Sequence, residues 1–401
     1  MDVKFNLIIA QTNRFVEHVF FLRFIAYNSG MDKTMITIGG RSFTAGESVL
    51  VIAEIGTGHG GSQSHARELI DAASDSGADC VKFQIVYADE ILHPETGLVH
   101  LPGGPVRLYD RFKELEVPPD FFAEMAAYAA GKGLIFLCTP FGIGSARQLR
   151  QLAPPAIKIA SPELNHYPLL KEVSGYGVPL VLSSGVSRME DIDTAIRLTA
   201  GAPSRLLLHC VTSYPAPESD YNLKILDTLS QRFSIPVGVS DHSLDPLLIP
   251  VLSTAMGSCA VEKHITLSTT GGGLDDPVAL PPSDFTRMVQ AVRTAQTLDR
   301  ETILENMRRD YGEDRVLKVL GSGRKELAPS EADNYLRTNR SIHAVRKLKK
   351  GHRLSEKDVA LLRTEKVLRP GLPPDYLERI IGARLIRDVP DGEGIVAEDL
   401  E

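Results

Sequence analysis

From about residue 49 to about residue 300, short and almost uninterrupted apolar runs alternate with longer stretches in which apolar residues recur every three or four positions. The runs at 49–53, 80–83, 134–138, 156–160, 180–182, 206–211, 237–239 and 260–262 have the length of strands. They lack the in-and-out alternation of a half-solvated sheet, which predicts strands covered on both faces. Between them, segments such as 64–76, 119–131, 189–199 and 282–298 carry the helical period. Eight such units in about 250 residues is the arithmetic of a (β/α)₈ TIM barrel. A doubly wound sheet would alternate in the same way, but the number of units favours the barrel.

This pattern stops near residue 300. Residues 301–337 are charged and helix-prone and read as a linker. Residues 338–401 hold short β-like pieces, turn signals at Lys350-Gly351 and Asp391-Gly392, and Pro370, Pro373 and Pro374, the pattern of a small second domain. The barrel is thus expected over 46–300, with 1–45 an N-terminal extension and lead-in. The apolar stretch at 15–27 is broken by Glu17, His18 and Arg23, so it is too short and too charged for a membrane span and makes a poor signal peptide. Because Met31 follows directly, residues 1–30 read as an over-called start, the competing reading being a packing helix.

With 401 residues, 43% of them hydrophobic, the chain is able to bury one large core and one small one. Its net charge of −7, from 44 basic and 51 acidic residues, and the absence of a like-charge run argue against nucleic acid or a membrane surface as partner. A small molecule is the expected ligand. The four cysteines, Cys80, Cys138, Cys210 and Cys259, lie in or beside predicted strands without CxxC spacing, which reads as reduced core thiols of a cytoplasmic protein.

Polar residues gather where the apolar runs end, the place where a barrel builds its active site. In chain order they are Glu54, Lys82, Thr139, Lys158 with Ser161 and Glu163, Ser183, Thr212 with Tyr214, Ser240 with His242, and His264. Taken singly, each has an ordinary reading as a rim charge, a turn or a packed histidine. Jointly they describe a chemistry. Lys82 and Lys158, helped by Thr139, Ser161, Ser183 and Ser240, suit a phosphate or carboxylate. His242 and His264 suit a first-row divalent metal acting as a Lewis acid. Glu54, Glu163 and Asp275 are carboxylates for sugar hydroxyls or proton transfer. Gly271-Gly272-Gly273 reads either as a mobile loop that brings Asp275 to the metal or as a plain flexible loop, and Gly60-Gly61 either as a close approach to ligand or as a tight turn.

Ala53-Glu54-Ile55-Gly56 with His59 and Gly61, Val81-Lys82-Phe83-Gln84, Thr139-Pro140-Phe141, Lys158-Ile159-Ala160-Ser161, Leu182-Ser183-Ser184-Gly185, Ser213-Tyr214-Pro215, Ser240-Asp241-His242 and Glu262-Lys263-His264 together resemble the sialic acid synthase family, enzymes that condense phosphoenolpyruvate with acylamino sugars. Arg369-Pro370-Gly371 resembles its C-terminal antifreeze-like (SAF) domain, and the likeness runs in order from about residue 46 to residue 401. The resemblance implies that Lys82, Thr139, Lys158, Ser161, Ser183, Thr212 and Ser240 bind phosphoenolpyruvate. It implies a divalent metal on His242 and His264, Mn²⁺ first with Mg²⁺ or Co²⁺ as alternatives. Glu54, Glu163, Tyr214 and Asp275 would face the sugar, Glu54, Glu163 and His264 would serve in catalysis, and Arg369 would reach over the neighbouring mouth in a domain-swapped homodimer.

Three features depart from the family's pattern: Gly58 where Asn usually precedes the motif histidine, Thr212 where Asn can stand, and the segment 92–107 with His93, Glu95, His100 and the Pro102-Gly103-Gly104-Pro105 turn. In the family that loop helps to form the sugar pocket, so the sugar is left open. Two other classes compete with the condensing enzyme: a barrel aldolase or lyase with Lys158 or Lys82 as Schiff base, and a non-catalytic carbohydrate-binding scaffold.

Overall fold

The computed structural model describes residues 34–101, 104–365 and 367–401, so the readings made for residues 1–30 lie outside the described residues. All eight apolar runs are strands: β1 (Leu50–Gly56), β2 (Cys80–Ile85), β3 (Ile135–Pro140), β4 (Ile157–Ile159), β5 (Leu180–Ser183), β6 (Arg205–Cys210), β7 (Val237–Asp241) and β8 (Ala260–His264). Parallel ladders join them in the order β3-β2-β1-β8-β7-β6-β5-β4, and β3 and β4 lie side by side to close the ring. Helices α1 (Gln63–Asp75), α2 (Pro119–Gly131), α3 (Ile143–Gln151), α4 (Tyr167–Ser174), α5 (Met189–Leu198), α6 (Ile225–Phe233), α7 (Leu248–Ala255) and α8 (Pro282–Ala295) belong to the surrounding layer.

The alternation of each strand sorts its residues into two cores. Val51, Ala53 and Ile55 of β1 face the helices with Val81, Phe83, Leu182 and Val239. Leu50, Ile52, Cys80, Ile135, Leu137, Val181, Leu206, Leu208 and Ala260 form a second apolar cluster inside the ring. Continuing each inward row by two positions replaces carbon with polar groups: Glu54 after Ile52, Lys82 after Cys80, Thr139 after Leu137, Ser183 after Val181 and Glu262 after Ala260. The barrel is therefore apolar below and polar above.

Residues 35–44, expected as lead-in, are part of the barrel. The antiparallel hairpin Met35–Ile38 and Arg41–Thr44 closes the apolar end by placing Ile36, Ile38 and Phe43 in the inner cluster. The first half of the expected linker is also barrel. Helices α9 (Arg300–Tyr311) and α10 (Glu313–Leu320) bury Ile303, Leu304, Met307, Val316, Val319 and Leu320 in the outer core, because their apolar positions keep the helical period. Only residues 321–339 run as an extended connector, with one 3₁₀ stretch at Pro329–Asn334. The small domain pairs β9 (Arg340–Ala344) with β10 (Val359–Arg363) and has its own core around Ile342, Leu348, Leu361, Leu385 and Ile395. All four cysteines are buried and free, and no helix among the described residues is long and apolar enough to cross a membrane.

Two motif residues hold the rim together. Lys263 and Asp241, both with fully buried side chains, pair at 2.6 Å, and the Lys263 ammonium also donates to the Ser243 carbonyl. Asp241→Asn would leave that ammonium buried without a counter-charge, and is expected to lower barrel stability by about 3–5 kcal/mol in urea unfolding. A change below about 1 kcal/mol would mean that the pair behaves like an exposed one.

Candidate active site

At the polar end of the ring, Glu262 is the hub. Its Oε1 lies 2.9 Å from Lys82 Nζ and 3.6 Å from Lys158 Nζ, and it accepts a 2.9 Å hydrogen bond from the Ser240 hydroxyl. Lys82 also reaches Glu54 at 3.3 Å, and Gln84 donates to Glu54 Oε1 at 2.6 Å. Each of these charged groups is almost fully buried. Burial works against the charges, but Glu262 and Glu54 override it at Lys82 and hold its pKa up, while Lys158 and Lys82 hold that of Glu262 well down. Where desolvation wins, groups are poised near neutrality: burial raises Glu54 to about 7, and burial with the neighbouring Lys82 charge lowers Lys158 to about 8. Such values suit proton transfer and reversible anion binding. Glu262 and Gln84 were missed as site residues. The signal was available, since both continue inward rows, Glu262 two positions before His264 and Gln84 two after Lys82.

The hydroxyls lie around this hub. Thr139 Oγ1 and Ser183 Oγ are buried without a hydrogen-bond partner, as is Glu262 Oε2, whereas Glu54 Oε2 faces the Lys82 ammonium at 3.3 Å. Buried polar atoms rarely stay unpaired unless they serve a ligand or solvent. Ser161 Oγ accepts from Gly185 N at 3.0 Å, and Thr212 Oγ1 lies 3.9 Å from Cys210 Sγ.

His242 and His264 face each other with ring centroids 5.6 Å apart, and Tyr214 stacks on His242 at 4.2 Å. His242 Nδ1 lies 2.9 Å from the Val211 carbonyl, which turns Nε2 toward Tyr214 OH, 3.2 Å away. Burial opposes a charge on His242, but Cys210, 3.8 Å from Nδ1, and the Val211 carbonyl hold its pKa up at about 9. Burial and the His242 charge push His264 well below the usual range. Asp275 Oδ2 sits 3.9 Å from His264 Nδ1, with its pKa raised by burial to about 6. No group of three or more metal-ligating side chains converges among the described residues. The donor chemistry, two imidazoles beside a carboxylate, still fits a first-row divalent ion that completes its shell with solvent or substrate oxygen. The Gly271–Gly273 loop is anchored by Asp276, which accepts from Gly273 N at 2.7 Å and Thr266 Oγ1 at 2.8 Å.

Within the chain, two expected sugar residues make other contacts. Both Glu163 oxygens are taken by the small domain: Arg340 Nε at 2.6 Å and Arg363 Nη2 at 2.8 Å. Burial opposes its charge, but the two arginines override that and lower its pKa. Arg340 also donates to the carbonyls of Glu90 and Phe141, so this carboxylate is a docking post rather than a group turned to substrate. Arg369 folds back on its own domain, donating to the Gly394 carbonyl at 2.7 Å and pairing with Asp399 at 2.8 Å. The 92–107 segment serves the same docking, with Leu92 bridged to Arg363 and His93 Nε2 3.1 Å from Asp391. At Gly58, a Cβ would stand 3.0 Å from the Ile55 carbonyl.

Comparison with known proteins identifies the family and the fold. The family model described as the NeuB family matches residues 69–303, and the one described as the SAF domain matches residues 339–401. The chain is 33% identical to the spore coat polysaccharide biosynthesis protein SpsE of Bacillus subtilis, over 88% of this chain and 93% of that protein. It is 32% identical to the N,N'-diacetyllegionaminic acid synthase of Legionella pneumophila, over 88% of this chain and 94% of that one. The crystal structure of SpsE aligns with a TM-score of 0.77 at 31% identity, covering 92% of this chain and 99% of that one.

Glu163→Gln cannot serve both guanidinium groups, and the loss of charge is expected to cost about 3–5 kcal/mol of domain docking. Hydrogen exchange in β9 should then accelerate while the barrel strands stay protected. Unchanged exchange in β9 would show that other contacts hold the domain.

Proposed function

The chain belongs to the NeuB family, and on that premise we propose that it condenses phosphoenolpyruvate with an N-acylated aldose, giving a nonulosonic acid and inorganic phosphate. The observation that carries this reading is the buried ring of Lys82, Lys158, Glu262 and Glu54 beside the unpartnered hydroxyls of Thr139 and Ser183. Lys82 and Lys158 offer an anion two ammonium groups, and the hydroxyls supply donors that fix its orientation. The relatives named as a spore coat polysaccharide biosynthesis protein and a diacetyllegionaminic acid synthase support a surface-sugar pathway.

In the proposed reaction, C3 of phosphoenolpyruvate attacks the aldehyde carbon of the open-chain sugar and the aldehyde oxygen takes up a proton. Water adds at C2 and loses a proton. Collapse to the ketone then breaks the C–O bond and expels phosphate. Glu54, poised at about 7, is the group to move a proton here, while Lys82 and Lys158 hold the negative charge. Asp275 and Tyr214, beside the two histidines, are left to meet the sugar. A cleft of about 250 Å³ is lined by His59, Arg111 and Asp276, the chain neighbour of Asp275. A divalent ion held by His242 and His264, Mn²⁺ or alternatively Mg²⁺ or Co²⁺, would supply Lewis-acid polarisation of a carbonyl oxygen.

A second reading has one observation in its favour: Lys158, lowered to about 8, has the depressed pKa of an amine nucleophile. Borohydride trapping of a Lys158 adduct would select an aldolase or lyase.

The direct test supplies Mn²⁺, phosphoenolpyruvate and a panel of N-acylated hexoses, and follows phosphate and the mass of the product. Phosphate release should require both substrates, and release that never depends on sugar would refute the condensation. In the free enzyme, kcat/KM should rise with pH through about 7 as Glu54 loses its proton, then fall through about 8 as Lys158 loses its charge. Glu54→Gln should remove the acidic limb, and a limb that survives would assign it to another group. For the swapped homodimer, mixing His264→Ala with Arg369→Ala subunits should restore activity that neither has alone.

A further inference from the structure

The connector between barrel and small domain enters the rim of the site. Glu331, buried to 1% exposure, sends Oε1 between two strand ends, where it accepts from Val186 N and Thr212 N, both at 2.7 Å. Three further contacts hold the same rim. Lys325 Nζ donates to the Ser184 carbonyl at 3.2 Å, Asn339 Nδ2 donates to the Val186 carbonyl at 3.0 Å, and Asp220 accepts from Ser330 N at 3.1 Å. Val186 is thereby held at both its N–H and its carbonyl.

Its conformation needs that grip. Val186 has φ +42°, a region that β-branched residues avoid, and such backbone persists where the surroundings over-determine it. The residues around the turn are those assigned to phosphoenolpyruvate. Ser183 opens the turn, Gly185 N donates to Ser161 Oγ, and a Cβ on Gly185 would overlap Thr212 Oγ1 and stand 3.1 Å from Glu331 Oε1. Ser161, Ser183 and Thr212 thus meet at a glycine whose neighbour is pinned by Glu331.

Resting on the reading of the preceding section, we propose that the connector is a working part of the phosphoenolpyruvate site. Glu331 is the positioning residue that locks the Ser183–Val186 turn, and with it the hydroxyls of Ser161, Ser183 and Thr212, in the anion-receptive arrangement. The carboxylate does this from the segment that leads directly into Arg340, so the small domain's docking post and the anion turn are held by one strap.

The test uses the full chain with Mn²⁺ and compares wild type, Glu331→Gln and Glu331→Ala. Phosphoenolpyruvate binding is measured by calorimetry, and KM is measured separately for phosphoenolpyruvate and for the sugar. Gln keeps one acceptor oxygen and should weaken phosphoenolpyruvate binding severalfold, whereas Ala strands two buried N–H donors and should weaken it by about tenfold or more. The sugar KM should stay within about twofold. If Ala fails to fold, Gln and Asn339→Ala carry the test, the latter freeing the Val186 carbonyl and, within the connector, Leu336 N while leaving Glu331 in place. Phosphoenolpyruvate affinity unchanged in the variants, or lost in step with sugar affinity, would overturn the proposal. Wild type that binds no phosphoenolpyruvate would instead refute the reading of the site itself, an outcome visible before any variant is made.

Discussion

The carboxylate of Glu262 is the constraint on which this site depends. Two lysines that face one another inside a barrel repel and are costly to desolvate, and the buried Glu262 carboxylate that both reach, with Glu54 beside Lys82, makes them tolerable. Its cost is spread over Lys82, Lys158 and the Ser240 hydroxyl, which come from three other strands. Fixing one side chain therefore sets the positions of three, and the displaced protonation equilibria of Glu54 and Lys158 follow from the same crowding.

The fold makes that arrangement possible by separating its two ends. Below, the inward rows are carbon, sealed by the 35–44 hairpin, so the lower half supplies packing and exclusion of water. Above, the same rows turn polar within two residues. A cluster of four buried charges is tolerable only over such a rigid floor, because each charge needs its partner held in place. Lys263 and Asp241 do similar work in the layer between strands and helices, one position away from the two histidines.

The small domain joins this scheme by charge and by hydrogen bonds to backbone carbonyls. Arg340 is fully buried and satisfies five acceptors: a Glu163 oxygen and the carbonyls of Glu90, Ile91, Phe141 and Leu361. The segment at 92–107, which departs from the family's pattern, lies along the same seam. That segment thus helps to seat the small domain within this chain.

The eight strands, the barrel and the polar rows at the strand ends were all legible in the sequence, because strand alternation and burial on two faces leave a period that local residues alone express. Glu54, Lys82, Lys158 and the paired histidines were found for the same reason. Helices α9 and α10 were read as linker because their charges dominate composition, although their apolar residues keep the helical period. Glu262 stood in a quoted motif and continues an inward row, which marks it as pointing into the site, but its role as hub depends on lysines from two other strands. Glu163 and Glu331 mark the boundary most clearly. Glu163 meets Arg340 across 177 positions and Glu331 meets Thr212 across 119, and which charge takes which partner is decided only when the small domain and the connector settle on the barrel. The sequence determined which residues point inward, since that depends on neighbours in the chain; the tertiary structure decided what each buried charge does, since that depends on neighbours in space.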